Sequence, residues 1–263
     1  MPASVRKLPL VGSIATMPTR AVTFPKALAS ILPQVDRLYV FLDGFDEVPG
    51  LLRTQPKCHP VILAAPDNLH ASSRFLAPGM FGDDAVILTF DDDILYPPGY
   101  VATLVAGLAA RVSALLGYHA ARFQPPHASY IRDRHILPFN RETQQIFPVH
   151  ELGCGTLGFL SADFAPDPRA WLHHDMDDLY VAAEAFRAGL ALESLHRPAR
   201  WIRALAANQP DSLWNQTLKD DRRQSALMRF VMAQTLGQVE QNWWSHVPAT
   251  KPHAALAVRQ PQE

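Results

Sequence analysis

Four short apolar runs along the chain predict β-strands. They are Val11–Thr16, Arg37–Asp43, Val61–Ala64 and Ala85–Phe90. Between the first two runs, residues 22–32 place apolar side chains at helical spacing, with Pro25 near the start of the segment. Short buried strands that alternate with a helix are typical of a parallel sheet covered on both faces. The pattern therefore predicts an α/β protein with a mostly parallel central sheet flanked by helices.

The pattern changes after residue 98. Gly99–Leu116 predicts one long helix, because apolar residues recur along one helical face. These residues are Val101, Leu104, Val105, Leu108 and Val112. Residues 117–165 contain short β-like pieces between irregular loops, which predicts a small antiparallel addition to the sheet. The pieces are Ala128–Ile131, Gln145–Val149 and Thr156–Leu160.

The last third of the chain predicts two further helices and a tail. Met176–Ala188 has acids in its first turn, and Gly189 lies just beyond it as a C-terminal cap. Ser212–Gly237 is also expected to be helical. The segment 249–263 is rich in Pro, Ala and Gln and is expected to be disordered.

Composition narrows the classes of function. The chain has 263 residues, 48% of them hydrophobic, and a formal net charge of −1. This suits one large domain and offers no basic surface for nucleic acid. Cys58 and Cys154 are the only cysteines and form no CxxC pair, so neither a disulfide framework nor a thiolate zinc site is indicated. No window of the sequence suits a membrane span, so we expect a soluble, cytoplasmic protein.

The candidate chemistry is concentrated after the fourth predicted strand. Asp91, Asp92 and Asp93 follow an apolar run and precede Pro97 and Pro98. Side chains alternate faces along an extended chain, so Asp91 and Asp93 are expected to point the same way. Two neighbouring carboxylates favour Mg²⁺ or Mn²⁺, which usually completes its shell with water and phosphate oxygens. This pattern predicts a metal–diphosphate site, and a solvated acidic turn is the alternative.

Other polar residues follow or precede strands where ligands bind in open α/β sheets. After the first strand, Thr16 and Arg20 are placed to contact a nucleotide, or belong to a plain loop with Thr19 as a helix cap. Asp43 follows the second strand and either accepts hydrogen bonds from a base or ribose or forms an Asp-Gly turn. Arg74 offers a guanidinium fork suited to phosphate, or is a surface arginine.

A second acidic cluster begins the helix predicted at residue 176. Its members are His173, His174, Asp175, Asp177 and Asp178. Acids at a helix start are stabilised by the helix dipole, which accounts for one or two of them. A carboxylate at this position is also placed to act as a general base. We predict that role for Asp178, with Asp177 beside it.

A glycine-rich loop and one histidine complete the candidates. Gly153, Gly155 and Thr156 lie in a GxGxxG run that precedes a predicted strand rather than a helix, so it is discounted as a dinucleotide fingerprint. The loop would let a substrate approach the backbone closely. His196 is either a structural histidine or a third metal ligand.

Together these segments resemble the GT-A glycosyltransferases, especially family-2-like enzymes, over roughly residues 8–200. The order of the motifs carries the resemblance. It runs through the nucleotide-binding loop Ala15–Arg20, Asp43 after the second strand, the DxD motif Asp91–Asp93, the acceptor loop Gly153–Leu160 and the acidic helix start Asp177–Asp178.

The resemblance implies a single GT-A domain over residues 1–248. Its parts would be nucleotide-binding (about 8–98), acceptor-binding and catalytic (about 99–205) and helical (about 206–248). The implied reaction moves a sugar from a UDP- or GDP-sugar to a glycan or lipid-linked acceptor in bacterial surface glycan synthesis. It also allows a peripheral contact with the inner face of the membrane.

The resemblance also implies roles for the candidate residues. Asp93 would bind Mn²⁺ or Mg²⁺ directly, and Asp91 would reach the ribose or a metal-bound water. Asp92 would contribute to the donor site. Asp178 would take the proton from the attacking acceptor hydroxyl, with inversion at the anomeric carbon, and Arg74 would assist the leaving diphosphate.

Three observations bear on alternatives. Residues 197–201 match the [QR]xxRW pattern of processive enzymes but follow Asp178 too closely, so we expect a non-processive enzyme. A nucleotidyltransferase would normally carry a glycine-rich loop after the first strand, and Ala15–Arg20 contains no glycine. A phosphohydrolase of the DxDxT kind would place its acids after the first strand. A non-catalytic nucleotide-sugar or carbohydrate-binding module stays open.

Overall fold

The computed structural model describes residue 5 and residues 7–64, 67–206 and 217–235. Part of the predicted helix Ser212–Gly237 and the whole predicted tail 249–263 lie outside this part of the chain.

The described residues form thirteen strands and six α-helices. The strands are β1 (Leu10–Thr16), β2 (Arg37–Leu42), β3 (Cys58–Ile62), β4 (Val86–Phe90), β5 (Ile94–Leu95), β6 (Ala114–Gly117), β7 (Ala120–Phe123), β8 (Arg134–Leu137), β9 (Phe147–Pro148), β10 (Glu151–Leu152), β11 (Gly158–Leu160), β12 (Ala191–Ser194) and β13 (Arg203–Ala204). The helices are α1 (Phe24–Ile31), α2 (Gly50–Arg53), α3 (Ala77–Phe81), α4 (Tyr100–Ala109), α5 (Asp177–Arg187) and α6 (Arg222–Gln234). Short 3₁₀ helices cover Pro18–Arg20, Leu32–Gln34, His70–Leu76, Cys154–Thr156 and Pro168–Ala170.

An eight-stranded sheet forms the centre of the fold, in the order β3-β2-β1-β4-β11-β6-β12-β9. β3, β2, β1 and β4 run parallel to one another, and so do β6 and β12. β11 lies antiparallel between β4 and β6. β10, β7 and β8 form a separate three-stranded antiparallel sheet, so a small antiparallel part is present. The pieces from which it was predicted do not form it, because Gln145–Val149 and Thr156–Leu160 contain β9 and β11 of the central sheet. The predicted fold class, a mostly parallel sheet with helices and a small antiparallel part, is therefore confirmed.

Two hydrophobic cores lie on opposite faces of the sheet, because side chains alternate along each strand. In β4, Val86 and Leu88 belong to one core and Ile87 to the other. The first core includes Leu28 of α1 and Leu104 of α4, and the second includes residues of α5 and α6. Helices thus cover both faces, as the apolar strand sequences require.

The first four predicted strands are present, with small changes of boundary. β1, β2 and β4 agree with their predicted ranges to within one residue at each end. β3 begins three residues earlier than the predicted Val61–Ala64 and ends two residues earlier. The predicted helices over residues 22–32 and Met176–Ala188 are α1 and α5, and Gly189 adopts the left-handed φ of +74° expected of a C-terminal cap.

The prediction of one helix over Gly99–Leu116 is wrong in its second half. The helix ends at Ala109, Ser113 has a left-handed φ of +55°, and residues 114–117 form β6 in the middle of the sheet. Val112, assigned to the apolar stripe, is 86% exposed. All four residues of β6 are buried, and a short, wholly apolar run has no period that separates strand from helix.

The prediction of a strand at Ala128–Ile131 is also wrong. The backbone N–H groups of Ala128 and Ser129 donate to the Asp133 carboxylate, at 2.6 and 2.9 Å. This local carboxylate replaces the partner that a neighbouring strand would supply. The actual strands of the addition, β7 and β8, flank this turn.

The segment that matches the processive-enzyme pattern has a structural role. The guanidinium of Arg197 is buried and donates to the carbonyls of Leu137, Pro138, Phe139 and Leu195. These bonds fasten the end of β8 to the end of β12. None of the helices in the described ranges combines the length and apolar character that crossing a bilayer requires.

Candidate active site

The predicted donor-site residues meet at one edge of the sheet. β1, β2 and β4 are parallel neighbours, so their carboxyl ends bring together Thr16, Asp43 and Asp91. The backbone N–H of Asp43 donates to the carbonyl of Thr16 at 2.9 Å. Arg20 lies in the 3₁₀ helix that follows β1, and its Nε is 3.6 Å from Asp92 Oδ1. The predicted donor-site residues are far apart in the sequence but lie together at this edge of the sheet.

The three consecutive aspartates have different surroundings. Asp91 Oδ1 accepts a hydrogen bond from Arg74 Nη1 at 2.6 Å, and the Asp91 side chain is 37% exposed. The Asp92 side chain is 12% exposed and lies beside Arg20. The carbonyl of Asp93 accepts from the N–H of Leu205, next to the pairing of β13 with β5.

These aspartates carry more negative charge than the nearby arginines balance. Burial raises the pKa of Asp92 to about 7, and the charges of Asp91 and Asp93 add to the rise against the opposing effects of Thr16 and Arg20. Burial and Asp91 likewise raise the pKa of Asp93 to about 6. Carboxylate oxygens held under this mutual repulsion are suitable ligands for a hard divalent cation. The donor set therefore fits Mn²⁺ or Mg²⁺.

Arg74 joins this cluster to the second acidic group. It lies in the 3₁₀ helix His70–Leu76, its side chain is 8% exposed, and its Nη1 donates to the Phe90 carbonyl as well as to Asp91. Its Nε is 3.6 Å from Asp177 Oδ2. Burial lowers the pKa of Arg74, but Asp91 and Asp177 outweigh burial and the net shift is upward. Arg74 is thus a buried link between two carboxylates rather than a surface arginine.

The second acidic group occupies the first turn of α5, as predicted. Asp178 Oδ1 accepts a hydrogen bond from the N–H of Cys154 at 2.7 Å. Burial, then the charge of Glu151, raises the pKa of Asp178 to about 6. Burial raises the pKa of Asp177 to about 7, against the opposing charge of Arg74. Both carboxyl groups therefore change protonation state near neutral pH.

One group of three close metal-ligating side chains occurs in the described ranges, and it includes none of the predicted ligands Asp91, Asp93 and His196. Its members are Cys154, Asp177 and Asp178, whose ligand atoms lie within 4.8 Å of one another. Burial raises the pKa of the Cys154 thiol well above its usual value, and the Arg74 cation already lies beside Asp177. A thiol that keeps its proton is a poor ligand. His196 itself is exposed beyond the end of β12.

The glycine loop packs directly against the DxD segment. A Cβ atom on Gly155 would lie 1.9 Å from Asp91 Oδ2, so only glycine leaves room for that carboxylate. The Tyr96 hydroxyl accepts from the Asp91 N–H at 2.7 Å and donates to the Gly155 carbonyl at 2.6 Å. A Cβ on Gly153 would lie 2.8 Å from His119 Cδ2. Both predicted glycines are therefore required by close approaches.

Thr156 holds the next segment of the site in place. Its Oγ1 accepts from the N–H of His119 at 2.8 Å, and the His119 carbonyl accepts from the N–H of Gly153 at 2.8 Å. His119 lies between β6 and β7 and was not among the predicted site residues. The sequence offers no signal for it, because it is one of eleven histidines and its contacts come from distant segments.

Asp43 also has partners that the sequence did not indicate. One carboxylate oxygen accepts from Asn68 Nδ2, and the other lies 2.8 Å from His70 Nδ1. His70 has a left-handed φ of +50° and its side chain is 65% exposed. Asp43 is therefore held in a fixed orientation at the edge of the sheet.

A cavity of about 410 Å³ opens beside Asp177 and Asp178. β8, the loop before α5 and α6 contribute to its walls, together with His119, Tyr130 and Gln224. The Tyr130 hydroxyl donates to buried Glu151, and the Arg134 guanidinium lies 3.9 Å from the centre of the Tyr130 ring. His119, Tyr130 and Gln224 were not predicted, since they come from parts of the chain without a recognised motif.

Comparisons with known proteins support the fold assignment. No protein-family model matches the chain, and no curated protein matches its sequence. A solved structure described as GalNAc-T7 with UDP, GalNAc and Mn²⁺ matches with a TM-score of 0.51 and 11% sequence identity. The match covers 87% of this chain and 55% of that chain, so this chain spans about half the length of its structural neighbour. At this identity the likeness shows a shared GT-A-like fold.

Gly155→Ala is expected to disrupt the cluster, because the new methyl group would overlap the Asp91 carboxylate. We expect the free energy of unfolding to fall by about 1–3 kcal/mol, and any stabilisation by Mn²⁺ with a nucleoside diphosphate to be lost. Thermal and denaturant unfolding, with and without these ligands, measure both effects.

Gly79→Ala in α3 is the matched control, because a Cβ there meets nothing within 4 Å. It should leave stability nearly unchanged or slightly increased and keep the ligand effect. Equal behaviour of the two variants would show that Asp91 does not need the space at Gly155.

Proposed function

We propose that this chain is a metal-dependent glycosyltransferase that moves a sugar from a UDP- or GDP-sugar to an acceptor hydroxyl. The observation that carries the proposal is the pairing of two acidic groups by Arg74. The Asp91–Asp93 segment lies at a sheet edge suited to a nucleotide, and Asp177 and Asp178 lie beside a cavity on the other side of Arg74. The GT-A-like fold supports it, and the structural neighbour is described with UDP, GalNAc and Mn²⁺.

The donor would bind at the carboxyl ends of β1, β2 and β4. Thr16, Arg20 and Asp43 would contact the nucleotide, with Asp92 held beside Arg20. Asp93 and Asp91 would hold Mn²⁺ or Mg²⁺. When bound, the cation offsets the negative charge of the diphosphate. The prediction that His196 is a further ligand stays a prediction.

Asp178 would act as the general base. Its pKa of about 6 keeps it ionised at neutral pH, while burial leaves it basic enough to accept a proton. The Cys154 N–H fixes one of its oxygens. As the acceptor oxygen bonds to the anomeric carbon, the bond from that carbon to the diphosphate breaks and the hydroxyl proton passes to Asp178. Asp177 is held beside Arg74. It would keep the neighbouring Asp178 in position.

We further propose that the reaction inverts the anomeric carbon and is non-processive, as in the family-2-like enzymes that the motif order resembles. The acceptor would be a glycan or a lipid-linked glycan of a bacterial surface polysaccharide. Arg74 would assist departure of the diphosphate indirectly, because its guanidinium holds Asp91 and balances its charge.

Donor binding is tested with a panel of UDP- and GDP-sugars in the presence of Mn²⁺. A donor of the right class at about 100 times its Kd should raise the free energy of unfolding by about 2.7 kcal/mol, and EDTA should remove the effect. Asp93→Asn should abolish the metal-dependent part. Asp84→Asn, an exposed aspartate before β4, is the control and should behave as the wild type. No stabilisation by any donor would contradict the proposed donor site.

Transfer should depend on pH through the acidic pair of α5. The base must be deprotonated, so kcat should fall as the pH drops through the range 7 to 6, where Asp177 and Asp178 gain protons. Asp178→Asn should lower kcat by about 10²–10⁴ while the donor KM changes little. Sugar transfer from the stabilising donor, measured from pH 5 to 9, tests this.

The outcome also separates an enzyme from a binding module. Asp178→Asn with wild-type kcat would contradict the base assignment. Donor binding by the wild type without transfer or donor hydrolysis at any pH would favour the non-catalytic module.

A further inference from the structure

The cavity beside Asp178 has polar walls contributed by four separate segments. His119 comes from the turn between β6 and β7, Tyr130 and Arg134 from β8 and the turn before it, Asp177 and Asp178 from the start of α5, and Gln224 from the first turn of α6. Its volume of about 410 Å³ lies towards the small end of the range for ligand pockets, about 300–1,000 Å³. The cavity therefore suits the end of a molecule rather than a long chain.

Three of the lining side chains carry a buried polar atom that lacks a hydrogen-bond partner within the described part of the protein. These atoms are His119 Nδ1, Asp177 Oδ2 and Gln224 Oε1. Asp177 Oδ2 has the Arg74 cation 3.6 Å away but accepts no hydrogen bond from it. Gln224 is 5% exposed, and its Nε2 donates to Thr217 Oγ1 at 3.2 Å, which fixes the orientation of the amide. Unsatisfied buried polar atoms cost free energy. Three of them around one cavity indicate a ligand that supplies the missing bonds.

The missing partners are mainly hydrogen-bond donors. A carboxylate oxygen and an amide oxygen only accept hydrogen bonds. Burial, with the charges of Arg134 and Arg197, lowers the pKa of His119 to about 4, so its imidazole is neutral at neutral pH and offers one donor and one acceptor nitrogen. The ligand must therefore present several O–H or N–H groups close together.

The charge around the cavity disfavours an anion. Asp177, Asp178 and buried Glu151 lie at or behind its wall. The nearby cations already have acidic partners, since Arg74 lies between Asp91 and Asp177 and Arg134 is a lining residue next to Glu151. Arg134 already lies beside Glu151 and against the Tyr130 ring. A phosphate or carboxylate would meet repulsion here, whereas an uncharged sugar ring carries adjacent hydroxyls that donate. A serine or threonine side chain offers a single hydroxyl and would leave two of the three atoms unsatisfied.

We infer that the acceptor is an uncharged sugar residue bound in this cavity, with hydroxyls donating to Gln224 Oε1 and Asp177 Oδ2, a further hydroxyl bonded to His119, and the reacting hydroxyl facing Asp178. The inference rests on the proposed glycosyltransferase function. It makes Gln224 and His119 specificity-determining residues, and it assigns part of the acceptor site to α6 near the C-terminal end of the described chain.

Binding of simple glycosides tests the inference without requiring transfer. The methyl α- and β-glycosides of glucose, galactose, mannose and N-acetylglucosamine are titrated against the full chain by ligand-observed NMR. Each titration is run alone and with Mn²⁺ plus UDP or GDP. At least one glycoside should bind, and Gln224→Met should weaken its Kd about tenfold, the loss expected for one buried hydrogen bond. Gln234→Met, at the other end of α6, should leave the Kd unchanged.

A second variant distinguishes a loss of glycoside binding from a loss of folding. His119→Phe keeps an aromatic ring beside Phe139 but removes both nitrogens, and it should also weaken glycoside binding about tenfold. Retained binding of the nucleoside diphosphate with Mn²⁺ confirms that each variant is folded.

Each remaining outcome overturns the inference in an identifiable way. If nucleotide binds and no glycoside does, the sugar acceptor is wrong while the proposed donor site stands. If neither binds, the proposed function falls with it. Equal glycoside affinity in Gln224→Met, His119→Phe and the control would place the sugar outside this cavity. Binding of a serine- or threonine-containing peptide, with no glycoside able to displace it, would assign the cavity to a protein acceptor.

Discussion

The buried guanidinium of Arg74 is the interaction on which the rest of the site depends. It lies between Asp91 at the end of β4 and Asp177 at the start of α5, at 2.6 and 3.6 Å. Without this cation, the carboxylates on its two sides would repel one another in a poorly solvated space. Breaking such a buried pair by removing one partner typically costs about 3–5 kcal/mol. Arg74 therefore fixes the distance between Asp91 and Asp177.

The backbone around this link is arranged for close approach. Gly155 leaves space for the Asp91 carboxylate, and the Tyr96 hydroxyl bonds both the Asp91 N–H and the Gly155 carbonyl. Cys154, which precedes Gly155, donates its backbone N–H to Asp178 Oδ1. The glycine loop thus contacts both acidic groups, and it would transmit a displacement of either one to the other.

Much of the fold could be predicted from the sequence because the parallel strands are short, apolar and bounded by polar residues. Since strand carboxyl ends share an edge, Thr16, Asp43 and Asp91 could also be placed together in advance. Residues 110–117 could not be assigned correctly, because a buried run of four apolar residues forms a strand only through its neighbours β11 and β12. The role of Arg197 was equally hidden, since three of its four carbonyl partners lie some sixty residues away.

The cavity beside Asp178 shows more clearly what could not be predicted from the sequence. Asp177 and Asp178 carry a recognisable motif, but His119, Tyr130 and Gln224 reach the cavity through tertiary packing alone. Their chemistry emerges only from burial and missing hydrogen-bond partners, which have no sequence signature.

The central claim is that one site binds a metal and a nucleotide on one side of Arg74 and an acceptor on the other. Diffraction at the manganese absorption edge, from crystals grown with Mn²⁺ and the nucleoside diphosphate that stabilises the protein, tests it most directly. We expect a manganese peak at the carboxylates of Asp91 and Asp93, density for the diphosphate beside it, and Asp178 on the opposite side of Arg74. A peak within the Cys154, Asp177 and Asp178 group, or a nucleotide bound away from the ends of β1, β2 and β4, would contradict the account.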